Sequence, residues 1–132
     1  MIETLHYLTD EEERAIKQTI PWESIDYGVR NLVRMANNVE GLATLQSCAG
    51  HISPQPDGFS VDATQLAVRA TKAITTRILF EIAPRVGIRD ISLRYWNDGT
   101  FWMNIETDPA DRYRFYELFE VLQNDANKGS NG

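Results

Sequence analysis

Ile91-Ser92-Leu93-Arg94-Tyr95-Trp96-Asn97-Asp98-Gly99-Thr100-Phe101-Trp102-Met103-Asn104-Ile105-Glu106 is the stretch on which the fold turns. Ile91, Leu93 and Tyr95 alternate with Ser92, Arg94 and Trp96, and Phe101, Met103 and Ile105 alternate with Trp102, Asn104 and Glu106. Alternation of this kind is the mark of a strand with one buried face. A two-residue Asp98-Gly99 turn would pair Tyr95 with Trp102 and Leu93 with Asn104, mixing the faces. A three-residue Asn97-Asp98-Gly99 loop, with Gly99 left-handed as a bulge, pairs Tyr95 with Phe101, Leu93 with Met103 and Ile91 with Ile105. The second register is therefore expected, and it sets Arg94 opposite Trp102 with Trp96, Ser92 and Asn104 on the same face.

Upstream of the hairpin, residues 63–74 support two readings: one long helix carrying Ala63, Leu66, Ala67, Ala70 and Ile74, or a strand through Leu66, Val68 and Ala70. In the second, Thr71 caps a helix with Ile74, Ile78 and Ile82, disturbed by Pro84 and closed by Gly87. Downstream, Asp108-Pro109 reads as a capped helix start, with Phe115, Leu118, Phe119 and Leu122 as the buried stripe. Nearer the N-terminus, Thr9-Asp10-Glu11-Glu12 forms a capping box for a helix that Pro21 stops. A second helix is expected from about Ser24, with Asn37-Asn38 as a left-handed exit. Leu42 to Gln46 then reads as a short strand. The segment from Cys48 to about Thr64 shows no period, and Asp57 and Asp62 within it read as turn and cap residues.

The chain has 132 residues with 42% hydrophobic and 24% charged side chains, which suits one globular domain and argues against disorder. Its net charge of −6, from 19 acidic and 13 basic residues, disfavours RNA or DNA as a non-specific partner. No apolar run is long enough to cross a bilayer, and Met1-Ile2-Glu3-Thr4 does not resemble a signal peptide. The single cysteine, Cys48, forbids an internal disulfide, so a cytoplasmic location is expected. The expected architecture is α+β: a mixed sheet of about four strands with flanking helices over residues 1–123, then a mobile tail over 124–132. The strands flanking the Thr71 helix should be parallel if they share a sheet.

The segment Thr44-Leu45-Gln46-Ser47-Cys48-Ala49-Gly50-His51-Ile52-Ser53 concentrates the chemistry. Small residues after a strand let backbone N–H groups converge on an anion, and Ser47 and Ser53 add hydroxyls; the competing reading is a tight turn that merely packs. Cys48 and His51 are a candidate nucleophile–base pair, but no third orienting group is evident; they are also spaced as in a metal half-site. The only other histidine, His6, and the lack of a second cysteine argue against structural zinc, so no metal is expected. Arg94 beside Trp102, with Trp96 diagonal, either stacks a planar ligand or belongs to a covered face against helices or a second subunit; covering is favoured. Arg30, Arg34 and Arg69 read as charges solvating their faces.

At the Ser47-Cys48-Ala49-Gly50 loop the chain resembles the tRNA wybutosine-synthesising methyltransferases, which carry a Thr-x-Ser-Ser-Cys-Ser-Gly-Arg loop after an apolar, Asn-containing helix. The corresponding residues are Leu32-Val33-Arg34-Met35-Ala36-Asn37-Asn38, Thr44 and Ser47-Cys48-Ala49-Gly50-His51-Ile52-Ser53, with His51 where that family has arginine. The order of elements continues loosely to about Asn124 and supports the strand reading of Leu66 to Ala70. The resemblance implies S-adenosylmethionine as cofactor, methyl transfer as the activity, Ser47, Cys48 and Gly50 in the ligand loop, and Arg94 near it. Two functions are thus expected. One is a methyltransferase-like domain binding S-adenosylmethionine or a nucleotide through Ser47, Cys48, Gly50, His51, Ser53 and Arg94, all converging on one cleft, where His51 would tie anion affinity to pH. The alternative is a non-catalytic module that forms a homodimer or grips a protein through the face bearing Trp96 and Trp102.

Overall fold

The computed structural model describes the backbone of residues 5–49, 52–61 and 63–131. It is an α+β fold built on a four-stranded sheet: β1 (Leu42–Cys48), β4 (Thr64–Ala70), β6 (Phe101–Thr107) and β5 (Asp90–Tyr95), in that spatial order. Every neighbouring pair is antiparallel. Consequently β4 and β5 run parallel to each other, but β6 lies between them. The strand reading of residues 66–70 is correct, and Thr71 caps the following helix by accepting from the Ile74 N–H.

One face of the sheet carries the core. Leu42, Leu66, Val68, Ala70, Met103 and Ile105 meet three helical segments. These are α2 (Arg30–Asn37), the helical region over residues 72–86 and α5 (Tyr113–Asn131), whose Phe115, Leu118, Phe119 and Leu122 are all buried as the spacing requires. The hairpin has the expected register, with Tyr95–Phe101, Leu93–Met103 and Ile91–Ile105 paired and Gly99 at φ 90°.

Between α3 (Lys72–Arg77) and α4 (Ala83–Val86) the helix widens into a π turn over Ile78–Ile82. Pro84 has no N–H to donate, and its ring crowds the carbonyl four residues back, so the helix accommodates it by inserting a residue. Gly87 then closes it at φ 84°.

Several expectations are corrected. The helix expected from Ser24 starts at Arg30, after 3-10 turns at Trp22–Ser24 and Tyr27–Val29, because Ile25 and Asp26 are extended (ψ 133° and 129°). The left-handed exit is Gly41 at φ 88°, whereas Asn38 is right-handed, since glycine adopts that conformation without a Cβ penalty. Asp108 leads into a 3-10 turn, Pro109–Asp111, and makes no side-chain cap. The segment after Cys48 contains a hairpin, β2 (Ile52–Gln55) with β3 (Gly58–Val61), turning through Pro56-Asp57. The backbone of α5 runs on to Asn131. Asp62 lies outside the described residues.

The helix α1 (Asp10–Gln18) carries the full capping box between Thr9 and Glu12. It lies along the start of β1, where Glu13 accepts from the Gly41 N–H and Lys17 donates to Val39 O. Arg69 is not a solvated charge. It is buried against this N-terminal segment, donating to the Glu12 carboxylate and to the carbonyls of His6 and Phe101.

Candidate functional site

A concave site opens along the outer edge of β1. Helix α1 ends at Gln18, Pro21 turns the chain, and the 3-10 segment stands off from the strand. A pocket of about 500 Å3 remains between them, floored by Thr44, Leu45, Gln46 and Ser47 and walled by Ile16, Ile20, Ile25 and Val33. That volume lies within the range of small-ligand sites, roughly 300–1,000 Å3. The floor is irregular: the β1–β4 register shifts between Thr44 and Gln46, so Leu45 has no partner on β4. At this interrupted edge the Thr44 N–H is met by the Asn37 side-chain carbonyl at 3.1 Å instead of by another strand.

The polar lining is neutral. Thr44 Oγ1 accepts from Asn37 Nδ2 at 2.9 Å, which leaves its proton free to donate into the site. Thr19 donates its own hydroxyl to Ala15 O at 2.9 Å, so it meets a ligand as an acceptor. Ser24, Gln46 and Ser47 complete the set, and none of the lining residues is charged.

The strand end beside the pocket is clasped from two sides. The Asp26 carboxylate accepts from the Ala49 N–H at 3.2 Å, and Arg112 donates to Ala49 O at 2.5 Å and to Gly28 O at 3.0 Å. Thr64 Oγ1 also donates to Ala49 O, at 2.6 Å. A Cβ on Gly28 would sit 3.1 Å from Arg112 Nη1 and 3.2 Å from Ala49 Cβ, so this approach depends on a small residue. Asp26 and Arg112 carry no signal in the pattern: each sits in a turn outside any periodic run, and their common target, Ala49, is distant in sequence.

The expected shared cleft is not formed by Arg94. Ser47 lines the β1 pocket, and Cys48 follows as a half-buried free thiol. Cys48 shares a cross-strand row with Gln65, Glu106 and Asp90, whereas Arg94 stands four residues further along β5, opposite Trp102. With β1 and β5 at opposite edges, the two lie about 14 Å apart across the strands and about 13 Å along them. Strand order, which periodicity does not encode, is the reason. Ser53 belongs to β2, while Gly50 and His51 lie outside the described residues, as does any Cys48–His51 pair. His6 bridges to Thr100, at the end of the sheet away from Cys48, and no cluster of metal-binding side chains occurs among the described residues.

The tryptophan face is only partly covered. Trp96 and Trp102 stack at 4.4 Å with a 41° tilt, Trp102 half-buried and Trp96 52% exposed. The N-terminal segment covers the Arg69 end of this face and leaves β5 open.

Fold and pocket together define a small α+β domain with a neutral ligand-sized site on a sheet edge. No protein-family model matches the chain, nor does any curated protein. Among solved structures, it is similar to the PH1069 protein from Pyrococcus horikoshii, with TM-score 0.59 and 17% identity over 88% of this chain and 94% of that one. At that identity the likeness establishes the fold. No helix among the described residues is long and apolar enough to cross a membrane.

Proposed function

We propose that the chain is a wybutosine-methyltransferase-like domain whose β1 pocket takes the adenosine part of S-adenosylmethionine or of a nucleotide. The observation that carries this reading is the pocket itself, with Ser47 of the Ser-Cys-x-Gly loop in its floor. Apolar walls suit a planar base, and the hydroxyls and the Gln46 amide suit its hydrogen-bonding rim and the ribose. The neutral lining fits the nucleoside better than a phosphate or carboxylate, so Arg94 has no part in it. S-adenosylmethionine would supply an activated methyl group; the chain's own contribution is to bind and orient the nucleoside. The acceptor is RNA or a smaller modified base, the latter favoured by the net charge of −6.

Calorimetry with adenosine, S-adenosylhomocysteine and S-adenosylmethionine tests the reading. Binding of all three is expected, lost in Ile25→Trp, which fills the pocket, and retained in Arg94→Ala. Absence of binding by every adenosine-bearing ligand would overturn it. One observation favours the second reading, a non-catalytic module that dimerises or binds a protein through the face bearing Trp96 and Trp102: Trp96 and the neighbouring Arg94 are exposed on that face. The two readings are compatible, because the pocket and β5 occupy opposite edges of the sheet.

A further inference from the structure

We propose that the free edge of β5 pairs with β5 of a second copy, antiparallel about a two-fold axis at Ser92, joining two sheets into one. This inference is independent of what the β1 pocket binds. Among the described residues, β5 is hydrogen-bonded only to β6. Trp96 N donates to Thr100 O, so Trp96 turns its backbone groups inward, and alternation does the same for Arg94, Ser92 and Asp90. Ile91, Leu93 and Tyr95 therefore turn theirs outward, with no strand partner among the described residues. Such an edge recruits another strand unless something blocks it.

A two-fold axis normal to the sheet keeps like faces together, and hydrogen bonding requires outward residues to meet outward residues. Both conditions place the axis on a residue rather than between two; centring it on Asp90 or Arg94 sets like charges opposite each other. The Ser92-centred register places Ile91 opposite Leu93 of the second copy, twice, and Asp90 opposite Arg94 of the second copy, twice. Asp90 and Arg94 are exposed, and neither has a side-chain hydrogen bond or ion pair with another described residue. In this register they meet as opposite charges at non-hydrogen-bonded positions, where facing side chains are closest. A Leu93-centred register instead sets Asp90 against Trp96 and Arg94 against Ser92, leaving both charges unmatched.

Edge charges ordinarily deter strand addition. Here Asp90 and Arg94 are placed symmetrically about Ser92, so the deterrent fails for one partner, the same strand reversed. The apolar side chains agree. Leu93 is 51% and Tyr95 61% exposed, and Ile91 lines a groove with Leu79, Ala83 and Ile88 on the same side of the sheet. Leu93 of the second copy, opposite Ile91, falls at the mouth of that groove. The other free edge, β1, is interrupted by its bulge and flanked by α1, and offers no equivalent pairing.

Sedimentation equilibrium of the full chain is expected to give twice the 15.1 kDa chain mass. Arg94→Asp should weaken association about tenfold or more, and adding Asp90→Arg should restore it, with circular dichroism showing both variants folded. In a Cys48→Ser background, Ser92→Cys should cross-link to a covalent dimer on oxidation, and Leu93→Cys should not. A monomeric wild type overturns the proposal. So does an Arg94→Asp variant that associates like wild type, or preferential cross-linking through Leu93→Cys.

Discussion

Arg69 is the residue whose environment departs most from its sequence context, a charge in the middle of the apolar β4 run. It is tolerated because the Glu12 carboxylate and the carbonyls of His6 and Phe101 receive its donors. At Glu12, burial raises the carboxyl's pKa, but the hydrogen bonds from Arg69 and from the Thr9 N–H and hydroxyl outweigh it and hold the group below the ordinary value of 4.5. A depressed folded-state pKa stabilises the fold above the unfolded value, and that stabilisation is lost as pH falls through the folded one. Removing one partner of a fully buried pair costs roughly 3–5 kcal/mol. Because the Glu12 side chain is 41% exposed and Arg69 keeps its carbonyls, Glu12→Gln should cost about 1–2 kcal/mol at neutral pH. Urea titrations at several pH values check this: the gap between variant and wild type should shrink on acidification below about 4.5. A gap that is constant with pH would mean that the ionised carboxylate is not the source of the loss.

At the scale of elements, the helix following β4 shows how one residue reshapes a segment without ending it. Pro84 converts Ile78–Ile82 to a π turn, and Ile78 and Ile82 nevertheless remain buried. The exit is more constrained. Gly87 is left-handed, and a Cβ there would fall 1.8 Å from Arg114 Nη1, which donates to Val86 O at 2.8 Å. Arg114 is flexible enough to move aside, but it would surrender that bond. Gly87→Ala should therefore cost about 2 kcal/mol, half from the backbone and half from the lost bond. A lower urea midpoint with an unchanged slope is the expected result.

For the whole molecule, the decisive feature is that the sheet has two free edges with different chemistry. The β1 edge is bulged and faces a neutral pocket; the β5 edge is regular, charged at two positions and apolar between them. Ligand and second copy should therefore act separately. Thermal midpoints of the wild type should rise with protein concentration, because association stabilises the native state by mass action, and those of Arg94→Asp should rise much less. Adenosine should raise the midpoint of both proteins by the same amount at equal protein concentration. Unequal shifts would mean that the two edges are coupled.

What the chain determines by itself is what its local periods and turn residues encode. The hairpin register follows from two alternating runs and Gly99, the capping box from Thr9 and Glu12, and the α5 stripe from its spacing. These depend on neighbours a few residues apart, whose geometry the backbone dictates. Residues 52–61 were missed because proline and glycine obscure the alternation in a hairpin only four residues on a side. The candidate site was legible only in part: Ser47 lines the pocket, while its walls come from α1 and the turns before α2. Strand order was decided by tertiary structure alone. Inserting β6 between β4 and β5 sent Arg94 to the far edge, and the clasp of Asp26 and Arg112 on Ala49 exists only once distant turns meet. Patterns report which face of an element is buried; which elements become neighbours depends on the combined packing of all those faces.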